Sequence, residues 1–299
     1  MPVTRREEGT LTPLVYAMAL IAVFGYGASA FLTKIAVDGA DSLAVGMLRS
    51  LVATPVALAL IVIYRLPLPW HGRRKWLLLM SGIGGLALFP VLFSIGLRYT
   101  TAGHASTASA CGAVVAGIFM ALLDRRWPKP IWGVGITIGL SGALLLIWEA
   151  IGLDVEGVSW QGDALVFAGM VVGVGGYVAG SRLAREMTAL AVTMWSVVAA
   201  GVLLAPALLL YADWPMIAEI PTASWMATAV LAWGVTIGGY MLWTRALADG
   251  GIARVGSLQL LQPIFGILLA LAVLGEPLTP MLVIATLIAI LGVAIVQRS

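Results

Sequence analysis

The sequence predicts an all-α integral membrane protein: ten transmembrane helices in two inverted five-helix repeats, with both termini cytoplasmic. Three observations carry this. Of the 299 residues, 61% are hydrophobic and only 10% are charged, with mean hydropathy +1.03. A soluble domain carries about 25% charged residues, so this surface suits lipid. The apolar residues also gather into ten runs near the length of about 20 that spans a bilayer. Finally, matches recur at a shift of 150 or 151: Gly25-Tyr26 with Gly176-Tyr177, Pro55 with Pro206, Gly96-Leu97 with Ala246-Leu247, and Ser141-Gly142 with Leu291-Gly292. Strict apolar–polar alternation is absent, which argues against a membrane β-barrel.

Residues 1–13 read as a cytoplasmic N-terminal segment. Arg5 and Arg6 lead into the first run, Leu14–Val37, which has no small-residue cleavage pattern and reads as a retained helix, not a signal peptide. Ser42–Tyr64, Trp76–Leu97, Ala102–Leu123 and Trp132–Trp148 follow, completing a first repeat over 14–148. Residues 149–162 form the longest connection, an extracytoplasmic linker. The second repeat, 163–296, holds Asp163–Leu183, Ala189–Ala212, Ala223–Leu247, Ile252–Leu274 and Thr279–Val296. Short connections make consecutive helices antiparallel neighbours.

Lys and Arg set the orientation. Arg5, Arg6, Arg65, Arg73, Arg74, Lys75, Arg125, Arg126, Lys129, Arg182, Arg185, Arg245, Arg254 and Arg298 all fall on one side. Lys34 and Arg98 fall on the other, and Arg49 lies within a span. The outer loops collect acids instead: Glu149, Asp154, Glu156, Asp213 and Glu219. A five-helix unit brings its second copy in from the opposite face, so the copies are inverted about an axis in the membrane plane. A hollow on that axis can open to either side.

One stretch points to the hollow's contents. Gly250-Gly251 opens the ninth run, Gln259 and Gln262 share one of its faces, Pro263 interrupts it, and Leu-Gly-Glu-Pro closes it at Leu274–Pro277. A fainter copy begins at Gly103-His104 with Ser106, Thr107 and Ser109. Paired polar, glycine-rich helices at matching places mark a binding site. Gly103, Gly250, Gly251 and Pro263 are therefore read as hinges. Gln259, Gln262 and Ser106 serve either as substrate hydrogen-bonding groups or as helix–helix glue. His104 reads first as a packing residue and second as a cavity group able to change charge near neutral pH. Tyr26, Phe93, Tyr99, Tyr177, Trp233, Tyr240 and Trp243 are the aromatic candidates for stacking a planar substrate; ordinary packing is the competing reading. Arg49 reads first as a structural cation and second as a partner for a substrate carboxylate.

The remaining chemistry is sparse. Trp70, Trp76, Trp127, Trp132, Trp148, Trp160, Trp214 and Trp225 stand at span ends, as an interfacial belt does. No acid is placed deep in a span, so proton coupling through a mid-membrane carboxylate is not expected unless His104 substitutes. No HExxH, Walker loop or Ser-His-Asp set occurs, so no catalytic residue, metal site or cofactor is expected. The basic residues lie in loops without interleaved aromatics, which excludes nucleic acid. The single Cys111 rules out an intrachain disulfide.

Leu274-Gly275-Glu276-Pro277, Gln262-Pro263, Arg49 and the Gly292 pattern together resemble the drug/metabolite transporter superfamily, specifically its ten-helix EamA-type exporters. In the first half, Ala113 stands where Pro263 stands in the second, and Asp124-Arg125-Arg126 replaces Leu-Gly-Glu. Overall the chain is similar to the aromatic amino acid exporters of that group. The resemblance implies a multi-pass protein of the bacterial cell inner membrane, a monomer or weak oligomer. It implies export of amino acids, aromatic and other neutral ones, and related small metabolites by alternating access. A drug- or nucleotide-type metabolite carrier and a channel-like facilitator remain the alternatives.

Overall fold

The computed structural model describes residues 13–124, 130–152, 157–211, 214–250, 255 and 258–298. The described residues are helical bundle and short connections. We number the helices α1 (Pro13–Asp38), α2 (Ser42–Tyr64), α3 (Gly72–Leu97), α4 (Ala102–Ala110, continuing as Gly112–Asp124), α5 (Pro130–Gly152), α6 (Trp160–Leu183), α7 (Ala189–Tyr211), α8 (Thr222–Gly250), α9 (Leu258–Leu274) and α10 (Pro280–Arg298). Among them, α1 to α8 are long and apolar enough to cross a membrane. The last two are shorter apolar helices.

The helix starts follow from local chemistry. A side-chain oxygen just before the helix accepts one of the N–H groups its first turn leaves over. Asp41 accepts from Ala44, Thr101 from His104, Ser159 from Gly162, Thr188 from Ala191 and Thr279 from Leu282. Pro280 then fills the first position of α10, where no N–H is needed. At the other end, Gly275 stops α9 in the left-handed conformation at φ 67°, which glycine adopts without steric cost.

Small residues decide the packing, because lipid gives helices no hydrophobic reason to associate and close backbone approach must do so. On α5, Gly135, Gly139 and Gly142 form a groove filled by Val296, Gly292, Ala289 and Ala285 of α10. Gly84 and Gly85 of α3 meet Gly176 of α6, and Gly96 meets Gly162 and Val166. Gly201 of α7 receives Thr54 of α2, Gly27 of α1 receives Phe265 of α9, and Gly266 of α9 receives Ser106 of α4.

These pairings have a pattern. Exchange each helix for the one five places away, and α2–α7, α5–α10 and α4–α9 map onto themselves. The α3–α6 pair maps onto α8–α1, and α2–α8 maps onto α7–α3; all of these pack together. Two widened π-helical stretches also correspond: Ser81–Leu88 within α3 and Val230–Gly239 within α8.

The α5–α10 groove generates a stability prediction. A side chain at Gly292 would drive its Cβ into the backbone of Gly139. Gly292→Leu should cost about 1–3 kcal/mol by overpacking and lower the unfolding temperature in detergent. Gly133→Ala, where an added Cβ meets nothing within 4 Å, should leave it unchanged.

Candidate functional site

Inside the apolar bundle the polar residues gather in two places. The first surrounds Arg49, which α2 carries two turns past its Asp41 cap. Arg49 is only 8% exposed. Its Nη1 donates to Ser29 Oγ of α1 at 3.2 Å, and its Nε to Thr236 Oγ1 of α8 at 3.4 Å. The guanidinium carbon sits 5.9 Å from the centroid of the Phe89 ring on α3. No Asp or Glu among the described residues pairs with it. A buried cation that meets only hydroxyls and a ring face is short of negative charge, and that deficit is costly away from water. Thr236 lies within the π-helical stretch of α8, and Phe89 follows immediately after that of α3. Such widened turns recur at functional sites because they re-aim side chains.

One turn along α1 from Ser29 stands Tyr26. Its ring meets Trp243 edge-on, centroids 6.2 Å apart at 77°. Tyr177 of α6 and Tyr240 of α8 lie near Tyr26, and the Tyr240 hydroxyl bonds Thr193 of α7. Tyr177 is nevertheless 52% exposed. The ring is thus half open and stands beside tyrosines of two other helices. Tyr26, Tyr177, Tyr240 and Trp243 are thus brought together, with Arg49 at one end.

The other candidates are placed elsewhere. Phe93 is buried among Ala30, Val37 and Val45 and tilts against Phe89 at 5.2 Å. Tyr99 is an exposed helix-end residue whose carbonyl accepts from Ser159. Trp233 is exposed, and its indole N–H donates to the Val52 carbonyl at 2.9 Å, tying α8 to α2. Gln259 stands exposed in the 3₁₀ turn that opens α9. Gln262 is half-buried, its carbonyl over Gly27. Pro263 occupies the first turn of the regular α-helix that starts at Gln262. Gly250 ends α8, and Gly251 lies outside the described residues.

The second polar cluster corrects the sequence reading. Asp163 stands at a span boundary as expected, in the first turn of α6, but Glu149 was expected in an outer link. Instead α5 continues through Glu149 to Gly152, and both acids turn inward onto His104. His104 Nδ1 stands 2.9 Å from Asp163 Oδ2, and Thr100 donates to the other Asp163 oxygen. His104 Nε2 faces Glu149 Oε2 at 3.7 Å. The three are 2%, 5% and 1% exposed for His104, Asp163 and Glu149. The signal was present: Gly135, Gly139, Gly142, Leu146 and Glu149 alternate by four and three, one helical face. Beside the cluster, Glu276 accepts from the N–H groups of Ala102 and Gly103 at 2.8 and 2.9 Å. The Leu-Gly-Glu-Pro glutamate therefore clamps the end of α9 to the start of α4.

Comparison with known proteins agrees with this architecture. The model of the EamA-like transporter family matches residues 13–148 and 160–298. The uncharacterized transporter YdeK of Bacillus subtilis is 31% identical over 281 residues, covering 93% of this chain and 95% of that protein. The uncharacterized transporter YwfM of the same organism is 24% identical, over 95% of this chain and 94% of its own. A solved crystal structure superposes with TM-score 0.63 at 20% identity, covering 96% of this chain and 98% of its own. That likeness speaks to the fold alone.

The Glu276 clamp can be tested directly. Glu276→Ala leaves two N–H groups of α4 without their acceptor beside the helix's positive end. It should cost about 0.5–2 kcal/mol, read as a lower unfolding temperature in detergent. Glu276→Asp, whose shorter carboxylate can still reach toward α4, should lose less.

Proposed function

The chain belongs to the EamA-like transporter family, and from that premise we propose that it exports amino acids, aromatic and other neutral ones, with related small metabolites, across a bacterial inner membrane. The observation that carries the reading is the buried Arg49 guanidinium, which pairs with no acid among the described residues. A substrate carboxylate supplies the missing charge and can accept from Nη2 together with the Nη1 proton that Ser29 leaves over, the paired end-on geometry that arginine favours. Ser29 and Thr236 then fix its position. The substrate's side chain lies toward Tyr26, Tyr177, Tyr240 and Trp243, whose ring faces suit a planar or apolar group and also attract an ammonium.

The transport cycle follows from symmetry. The helix pairing that repeats five places on supports ten spans as two inverted units, with the hollow between them. Positive charge at the ends carrying Arg65, Arg74, Arg182 and Arg185 supports a cytoplasmic assignment for that face. The aromatic group then lies on the cytoplasmic side of Arg49, so substrate reaches the rings first and the guanidinium second. The two π-helical stretches flank Arg49, where a substrate that satisfies the cation can change how α3 and α8 pack. Closing one mouth while opening the other needs two arrangements of similar energy, which inverted copies provide.

Binding to the purified protein tests this. A neutral aromatic amino acid should bind at least about tenfold more tightly than its amide, a difference of about 1.4 kcal/mol. Arg49→Gln should remove that discrimination by weakening only the acid. Equal affinity of the wild type for acid and amide would refute the carboxylate role. In parallel, Trp243→Ala should weaken aromatic substrates more than alanine.

A further inference from the structure

We propose that Glu149, His104 and Asp163 form a proton-binding site that couples proton entry to export. This rests on the carrier reading above for the coupling, though not for the binding.

Geometry assigns the parts different roles. Asp163 takes a hydrogen bond from the Thr100 hydroxyl and lies 2.9 Å from His104 Nδ1. A carboxylate there accepts, so the Nδ1 proton is fixed by its partner. Nε2 is then a lone-pair acceptor. It faces Glu149 Oε2, a second acceptor, across 3.7 Å. That oxygen is buried and has no hydrogen-bond partner. Two acceptors facing each other lack only a proton. One added proton turns the gap into a hydrogen bond and reduces two buried negative charges to one. Away from water, that exchange is strongly favoured over an unpaired carboxylate.

The surroundings fit a proton rather than a metal. The two carboxylates lie at opposite edges of the imidazole, so they do not converge on a point, and no metal-holding group occurs among the described residues. A cavity of about 10 Å³ adjoins His104 and Asp163, walled by Ala108, Leu146 and Phe167. That is about the space one water occupies. The charged neighbours are Glu276, held on the Ala102 and Gly103 N–H groups, and Lys34 of α1, which donates to the Leu97 and Thr100 carbonyls and pairs with Asp38 at 3.5 Å. Neither contacts the Nε2–Glu149 gap.

The placement supplies the coupling. The cluster joins α4, α5 and α6, while Glu276 and the Ser106–Gly266 contact join α4 to α9. The sequence orientation puts the cluster toward the extracytoplasmic face, where an inward proton gradient loads it. Drawing Glu149 onto His104 shifts α5 against α4, and through α4 the contact between the two halves.

The chain has two histidines, so a His71→Gln variant leaves His104 as the sole imidazole. Nitrogen-15 NMR of labelled, reconstituted protein should show Nε2 gaining a proton reversibly as the pH is lowered, and Glu149→Gln should change that response. An Nε2 signal that is constant as the pH is lowered, or unmoved by Glu149→Gln, overturns the proposal. In proteoliposomes, Glu149→Gln should reduce amino acid accumulation driven by a pH gradient by about tenfold or more. Exchange at equal pH should stay within about twofold. Equal loss of both, or gradient-driven accumulation that survives, also overturns it. Should the wild type exchange no amino acid at all, the substrate reading falls, while the histidine titration decides the proton site by itself.

Discussion

Lipid offers no hydrogen bond, and that constraint orders the interior of this bundle. Backbone groups are satisfied within helices, and the ends are closed by Asp41, Thr101, Ser159, Thr188 and Thr279. Hydroxyls within spans return to their own helix: Thr33 to Ser29, Thr54 to Ser50, Ser109 to Ala105, Thr228 to Ser224. Against that background two groups stand out. Among the described residues, Arg49 is a cation without an acid, and Glu149 carries an oxygen without a donor. Each is short of the partner that an anionic substrate or a proton would provide.

The glycines explain how such groups are held. Where Gly139 meets Gly292 and Gly84 meets Gly176, helices touch along their backbones and leave little freedom to slide. Around Arg49, the two π-helical stretches interrupt that regularity on α3 and α8. Both glycine contacts join one half of the chain to the other, α5 to α10 and α3 to α6, while the π-helical turns beside Arg49 depart from regular helix.

Much of this was legible from the sequence. The apolar runs located α1 to α8 to within a few residues, because lipid-facing length is a strong constraint, while the short helix Trp214–Ala218 had no such signal. The Gly25-Tyr26 and Gly176-Tyr177 match pointed to two rings that do lie near each other. Trp233 and Tyr99 were less legible: an aromatic at helical spacing does not reveal whether it turns inward, and both are exposed. Glu149 was misplaced because an acid flanking a span was read as a loop residue, whereas Asp163 does stand at the start of its helix. Facial spacing on α5 outweighs that rule, since Glu149 continues the glycine face. Arg49 was visible throughout, but the absence of an acid beside it is a fact of three dimensions.

The account stands or falls on whether the aromatic group at Tyr177 is reached in turn from both sides of the membrane. Cys111 is the chain's sole cysteine, so a Cys111→Ala background allows one reporter thiol in place of Tyr177. A membrane-impermeant thiol reagent applied separately to each face of oriented vesicles should label it from both, and bound amino acid should slow the reaction. A thiol reached from neither face, or labelled at a rate no amino acid alters, would contradict the account.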